Sequence, residues 1–434
     1  MYLKAKQAIN KMKKKNIFTF GCRLNTFESE VINEVTNGLN KEDSVILNTC
    51  AVTNEAVRKA KQKIRKIKKD SPETKIIVTG CAAQIDPNTF SEMKEVNYVV
   101  GNKEKLEKKT WKEIFNKEKN SKNNIITSDI MDLKETANHL ISGFGTRTRA
   151  YVEIQNGCDH RCTFCIIPFG RGNSRSVPPG IIIDQIKKLI ENGYKEIVLT
   201  GVDITSYGND LFININLGDL IEKIFKLVPN LLRLRLSSLD TIEIDDKLLE
   251  LITQDKKIMP HLHLSLQSGD DLILKRMKRR HNRKDAIKFC NKIKSKRPEV
   301  IFGADIIVGF PTETNFMFNQ TLDLIEECDL TFLHVFPYSS KKGTPASRMP
   351  QVKKELIKQR MKTLNKIKKR KNLIHLSNSI GKNEEVLSET EFTGRAENFT
   401  LVNFTKPQKI GEIFKAVVVN KSCESLIAEV KNQM

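Results

Sequence analysis

The sequence predicts an α/β protein in three parts: an amino-terminal parallel-sheet domain, a central partial (β/α)6-type barrel and a small carboxyl-terminal all-β barrel. Three observations carry this. Between residues 16 and 116 a short apolar strand, a cysteine and a helix-like segment follow one another three times. From Ala150 to Phe336 apolar strand candidates alternate with amphipathic helix patterns, the rhythm of parallel strands joined by crossover helices. From Glu384 to Val430 the helical period gives way to short strands with glycines at the bends, as in small antiparallel barrels.

The chain has 434 residues, room for two to four domains by the usual ~150 residues each. Its 74 Lys and Arg against 52 Asp and Glu give a formal charge of +22. Such an excess fits a polyanionic partner, nucleic acid first, although a Lys-rich solvated surface gives the same number. Nine cysteines, six of them in two patterned sets, suit metal ligation in a reducing, cytoplasmic compartment better than a secreted disulfide framework. No apolar run approaches a membrane span, so no membrane partner is expected. Residues 1–15 are basic and lack the apolar core of a signal peptide; they read as an extension, either a disordered arm or an upstream start with Met12 as the initiator.

The first domain is expected over 16–124. Ile17–Phe20 leads to Cys22, Ser44–Leu47 to Cys50, and Lys75–Val78 to Cys81, so each cysteine should stand at the carboxyl end of a strand, where parallel sheets form ligand sites. Ordinary buried thiols would read similarly, but one placement repeated three times favours a second metal cluster. Glu55–Lys69 carries Val57, Ala60, Ile64 and Ile67 at helical spacing with basic residues elsewhere, either a solvated face or a nucleic-acid contact. Tyr98–Val100 is a further strand, and Lys103–Asn124 reads as a helix running into a linker over 125–145.

The barrel is expected over 146–345. After the strand Ala150–Gln155 comes Cys158-Asp-His-Arg-Cys162-Thr-Phe-Cys165. Three thiolates without a fourth suit a [4Fe-4S] cluster with one open iron; a structural zinc site would offer paired CxxC knuckles or a His at finger spacing. Strands should follow at Ile197–Thr200, Leu231–Leu236, His261–Leu266, Phe302–Val308 and Phe332–Phe336. Their ends are polar or glycine-rich at Thr200-Gly201-Val-Asp203, Ser237-Ser238, Ser265 with Gln267-Ser-Gly269, and Val308-Gly309-Phe-Pro311, which together favour a pocket. A basic helix is expected within 346–377, with ten Lys or Arg and one acid, Glu355, over Val352–Lys371. The last barrel, 378–434, offers Phe392, Phe399, Phe404 and Phe414 for base stacking. Cys290, Cys328 and Cys423 fit neither cysteine set and read as structural.

The spacing Cys158-x3-Cys162-x2-Cys165 resembles that of the radical S-adenosylmethionine enzymes. Asn156–Asp159, Cys165-Ile-Ile-Pro168, Arg171-Gly172 with Ser174–Ser176, Leu266–Gly269, Lys275–Met277 and Asp305–Glu313 resemble the methylthiotransferases among them. Thr49–Thr53 with Ala56, Gly21-Cys22 with Asn25, Gly80–Gln84 and Gln155–Asp159 look most like the branch that acts on N6-threonylcarbamoyladenosine at position 37 of transfer RNA. The resemblance covers the chain from Ile17 to its end.

That resemblance implies two [4Fe-4S] clusters and S-adenosylmethionine as cofactors. One cluster would sit on Cys158, Cys162 and Cys165, where its open iron chelates S-adenosylmethionine and one electron cleaves the sulfonium to a deoxyadenosyl radical. The auxiliary cluster would sit on Cys22, Cys50 and Cys81 and carry the sulfur that becomes methylthio. Phe164 should lie near the adenine, with Gly201, Ser237, Gln267, Val308 and Gly309 lining the rest of the pocket. The last domain would be a TRAM domain that binds RNA, the partners the anticodon loop of transfer RNA and a flavodoxin- or ferredoxin-type electron donor, and the chain a monomer. The alternatives are methylthiolation of isopentenyladenosine or of a ribosomal protein and, in another class, a non-catalytic RNA-binding metalloprotein.

Overall fold

A computed structural model describes residues 16–40, 43–116, 124–134, 141–145 and 147–431. The expected extension 1–15 and part of the expected linker lie outside these. The chain divides into two compact units, one holding residues up to Ile141 together with Ile166–Asn173, the other Ser142–Cys165 and Ser174–Met434.

The first unit is built on a five-stranded parallel sheet in the order β1 (Ile17–Thr19), β2 (Ser44–Thr49), β3 (Lys75–Gly80), β4 (Tyr98–Val100) and β5 (Asn124–Ile126). Ile46, Leu47, Ile76, Ile77 and Val78 are buried, the continuous apolar run that a strand covered on both faces requires. Helix Arg23–Val35 buries Leu24, Phe27, Val31 and Ile32. Helix Asn54–Asp70 begins where the Thr53 side chain accepts a hydrogen bond from the Ala56 N–H, an N-cap, and seats Ala60 and Ile64 against the sheet. β5 corrects the expectation of a helix running into a linker: after helix Lys108–Asn116 the chain returns, and Asn124, Ile125 and Ile126 pair with Tyr98, Val99 and Val100.

In the second unit, β6 (Arg149–Glu153) is followed by a short antiparallel ribbon of β7 (Gln155–Asn156) and β8 (Arg175–Ser176). Then come β9 (Glu196–Thr200), β10 (Arg233–Leu236), β11 (His261–Gln267), β12 (Ile301–Val308) and β13 (Leu330–Pro337). β10, β9 and β6 form one parallel sheet and β11, β12 and β13 another. Bridges Leu234–Ile258 and Leu239–Leu264 carry the curvature from one to the other, a partial barrel. Alternate residues of β12, Phe302, Ala304, Ile306 and Val308, are fully buried, while Gly303 and Asp305 point to the concave side beside His263 and His334.

The basic helix runs from Lys354 to Asn378. A closed barrel follows, of β14 (Asn383–Ser388), β15 (Thr393–Ala396), β16 (Leu401–Phe404), β17 (Ile413–Lys421) and β18 (Leu426–Val430). Its core is Val386, Ala396, Val402, Ala416, Val418, Leu426 and Ala428, capped by Leu376 of the helix. The sequence concealed β15 because Thr-Gly-Arg-Ala shows no apolar alternation.

The turn between β15 and β16 reaches into the partial barrel. Arg235 donates to the carbonyls of Glu397 at 2.7 Å and Ala396 at 3.0 Å. The Phe399 ring, on a backbone with φ +71°, stacks on His261 at 5.2 Å. It lies 5.0, 5.1 and 4.9 Å from the guanidinium carbons of Arg149, Arg235 and Arg395. Buried Glu196 answers this charge, accepting from Arg235 at 2.7 Å with Arg149 and Arg233 nearby. Arg149, Glu196, Arg233 and His261 each begin a strand, so the turn closes the amino-terminal end of the barrel. Phe399 is therefore unavailable for base stacking, and Phe404 is in the core; of the four expected stacking residues Phe392 is the exposed one, at 52%.

Candidate functional site

Each cysteine of the first set stands at the carboxyl end of a strand. Cys22 caps helix Arg23–Val35 just past β1, Cys50 follows the last residue of β2, and Cys81 follows the last residue of β3. Gly21, at φ +97°, lies so close to Cys50 that a Cβ on it would sit 2.8 Å from Cys50 Sγ; this main chain requires glycine. Burial pushes the Cys50 thiol up to about 11, with Cys81 and Cys22 adding repulsion. Cys22 is the exposed one of the three.

Around these thiols lies a buried charged network. Arg171 Nε donates to Cys81 Sγ at 3.2 Å, while its terminal nitrogens donate to Glu28 Oε1 at 2.8 Å and Asn25 Oδ1 at 2.6 Å. Lys105 Nζ reaches Glu28 Oε2 and Asn102 Oδ1, both at 2.7 Å. Asn102 in turn directs its amide at Cys81 Sγ, 4.0 Å away, and at the Gly170 carbonyl. Burial opposes the charge on Glu28, but Arg171 and Lys105 outweigh it and bring the carboxyl down to about 2. Burial likewise opposes the charge on Arg171, yet Cys81 and Glu28 hold it well above its ordinary value. Burial, with Arg171 beside it, pulls the Lys105 ammonium down against the hold of Glu28, whereas the Arg171 guanidinium stays charged at Cys81, which suits a thiolate bound to a metal cluster.

The second set lies on the loop beyond β6, at the carboxyl end of the barrel. Gln155, fully buried, organises its approach: Nε2 donates to the Gly157 carbonyl at 2.8 Å and Ser174 Oγ at 2.9 Å, while Oε1 accepts from the N–H groups of Val202 and Asp203 at 3.0 and 2.9 Å. Thr163 anchors the far side through its N–H to the Met277 carbonyl at 3.1 Å and its hydroxyl to the Arg276 carbonyl at 2.7 Å. Arg279 directs a nitrogen at Cys162 Sγ, 3.8 Å away, and donates to Asp240 at 2.8 Å. His160, between Cys158 and Cys162, meets Asp203 Oδ2 at 2.7 Å with Glu243 beyond, and these carboxylates hold its imidazole up to about 9. Cys158 is pushed upward by burial, then by Asp203 and the other two cysteines.

Of the expected pocket residues, Phe164 packs edge-on against Phe310 with ring centres 6.4 Å apart. Ser237 and Gln267 stand at the carboxyl ends of β10 and β11, Gln267 with φ +69°. Gly201 backs onto Gln155, where a Cβ would lie 2.7 Å from the Gln155 carbonyl oxygen. A Cβ on Gly309 would meet Ile357 at 2.4 Å, its N–H is taken by Glu313, and Val308 is fully buried. These three positions can offer a ligand only main-chain groups. Cys290 and Cys328 are buried as expected of structural residues, but Cys423 is exposed in a turn. Sequence reasoning assigned no role to Glu28, Lys105, Arg171, Gln155 or Arg279. The signal for Glu28 was a carboxylate in phase with Leu24, Phe27 and Val31 on the apolar face of a helix.

In both sets three cysteines stand together with a guanidinium beside one of them, Arg171 at Cys81 and Arg279 at Cys162. Metal ligation requires the thiolate form, and three cysteines per set fit a [4Fe-4S] cluster with one iron left to another ligand.

Comparison with known proteins agrees. Residues 152–325 match the model of the radical SAM superfamily, and residues 14–101 match that of an uncharacterized protein family, UPF0004. The threonylcarbamoyladenosine tRNA methylthiotransferase MtaB of Rickettsia prowazekii is 51% identical over 406 residues, 94% of this chain and 95% of its own. The protein of the same name from Thermotoga maritima is 36% identical over 87% of each chain. The tRNA-2-methylthio-N(6)-dimethylallyladenosine synthase of Staphylococcus haemolyticus is 33% identical over 92% of this chain and 81% of its own. Among solved structures, the radical S-adenosylmethionine methyltransferase TsrM of Kitasatospora setae superposes with a TM-score of 0.53 at 15% identity, over 74% of this chain and 66% of its own, a likeness of fold. With two three-cysteine sites on a parallel sheet and a partial barrel, and with relatives matched along nearly its whole length, the chain belongs to the radical S-adenosylmethionine methylthiotransferase family.

Proposed function

We propose that this chain converts N6-threonylcarbamoyladenosine at position 37 of transfer RNA to its 2-methylthio derivative, with the anticodon loop as the surface it reads. What carries the reading is the 51% identity, over 94% of this chain, to the Rickettsia protein of that name. Cys158, Cys162 and Cys165 would hold one [4Fe-4S] cluster and Cys22, Cys50 and Cys81 the other. When bound, these clusters and S-adenosylmethionine supply the radical that activates an otherwise inert aromatic C–H and the methylthio group that replaces the hydrogen. The chain's own part is orientation and shielding. Gln155 and Thr163 fix the cysteine loop to the ends of the neighbouring strands, and Phe164 with Phe310 supplies an apolar wall. Ser237 and Gln267 stand where polar groups can orient S-adenosylmethionine. Arg171 and Asn102 hold Cys81 from the side away from solvent. A position in the anticodon loop is single-stranded and can be splayed into a pocket, and exposed lysines supply phosphate contacts. The chain works as a monomer and takes its electron from a flavodoxin- or ferredoxin-type donor.

Mass spectrometry of transfer-RNA nucleosides from a deletion strain tests this. Methylthio-threonylcarbamoyladenosine should vanish and return on complementation; disappearance of methylthio-isopentenyladenosine instead would overturn the substrate. Cys50→Ala should retain reductive cleavage of S-adenosylmethionine and lose methylthiolation, whereas Cys162→Ala should lose both. Methylthiolation by the first variant, or deoxyadenosine from the second, contradicts the assignment of the two sets.

A further inference from the structure

Neither cysteine site involves a compact cluster of nitrogen and oxygen ligands on the concave face of the barrel. Asp305 and His334 are register partners on β12 and β13, and His263 stands on β11 opposite Gly303. His263 Nε2 lies 3.0 Å and His334 Nδ1 3.4 Å from the same Asp305 oxygen, and the three ligand atoms all fall within 4.8 Å of one another. Gly303 makes this possible, since a Cβ there would sit 2.7 Å from His263 Nδ1.

The cluster is not simply a hydrogen-bonded triad. His263 is 7% exposed, yet its Nε2 makes no hydrogen bond of acceptable geometry despite its distance to the carboxylate. A buried ring nitrogen left in this way is costly. The carboxylate oxygen, though 3.0 Å away, lies off the line of the ring N–H. Two imidazole nitrogens and one carboxylate oxygen on three adjacent strands form a set that zinc and ferrous iron accept with positions to spare. His334, 57% exposed, leaves the concave side open for those positions.

We propose that His263, Asp305 and His334 form a binding site for a divalent transition-metal ion, distinct from both cysteine sets, with its remaining positions open to water or to an oxygen-bearing ligand in the barrel. Zinc is the probe. The full chain with both clusters in place is equilibrated with zinc, freed of excess, and examined for metal content and by zinc K-edge X-ray absorption. A zinc ion with a nitrogen and oxygen shell is expected. His334→Phe and Asp305→Asn should each weaken its retention by at least about tenfold while leaving the iron content unchanged. His334→Phe alters a largely exposed side chain, so its thermal melting should match that of the parent even if the buried Asp305 variant folds poorly. Sulfur in the zinc shell, no retained zinc, or retention unaffected by His334→Phe would overturn the proposal.

Discussion

Arg171 and Glu28 meet at 2.8 Å with 3% and 1% of their side chains exposed, and the Nε of the same guanidinium donates to Cys81 Sγ. A buried cation that touches a thiol is positioned to favour the thiolate and to orient it. Arg171→Ala should therefore lose the auxiliary cluster while reductive cleavage of S-adenosylmethionine persists. Iron and sulfide per chain would fall to roughly the content of one cluster. Arg171→Lys should not restore it, because an ammonium cannot span Cys81, Glu28 and Asn25 with one planar fork.

Acid should weaken this network only as pH falls below the ordinary carboxylate range. The Glu28 carboxyl titrates at about 2, below its ordinary 4.5, so the stability it contributes is present above the ordinary value and is lost as pH falls from there toward about 2. The shift corresponds to about 3 kcal/mol. Denaturant unfolding between about pH 2 and pH 5 should show stability declining toward acid in the parent, and Glu28→Gln should flatten that limb at a lower plateau.

Removing Gln155 strands several main-chain groups at once. Gln155→Ala leaves the Val202 and Asp203 N–H groups and the Gly157 carbonyl without their partner, a cost of about 2 kcal/mol or more. Because those groups fix the approach to Cys158, iron retention on gel filtration and deoxyadenosine yield should both drop, while the auxiliary cluster stays in place.

Lys358, Lys362, Lys366 and Lys369 are all exposed on helix Lys354–Asn378, and their spacing gathers them on one face. Replacing all four with alanine should weaken transfer-RNA binding and flatten its dependence on salt, by up to ~0.7 in slope for each phosphate of single-stranded RNA that the lysines neutralise. Fluorescence titrations at several salt concentrations would measure it. An unchanged slope would remove this helix from the RNA surface. Arg360, on the same helix, is buried with Glu313 at 2.7 Å and belongs to the fold.

The alternation of strand and helix was legible because burial on both faces writes continuous apolar runs such as Ile76–Val78, and cysteines at strand ends are legible as spacing. What escaped was whatever depends on residues distant in sequence. β5 becomes a strand only by pairing with β4, and Phe399 looks like a stacking aromatic until Arg149, Arg235 and His261 surround it. Arg171 could be seen in a motif, but its bond to Cys81, 90 positions away, could not. Glycines at 201 and 309 read as ligand-binding positions, and that Gln155 and Ile357 pack against them could not be read from the sequence.

The turn that carries Phe399 changes what a truncation can mean. Cutting away the terminal barrel would unseat an aromatic stopper and leave Arg149, Arg233 and Arg235 facing water at the floor of the catalytic domain with Glu196 as their remaining counterweight. The terminal domain is thus a structural part of the enzyme's interior. Loss of activity on its deletion would report a damaged barrel as readily as lost RNA affinity, and point changes on the outer surface, such as at Phe392, separate the two.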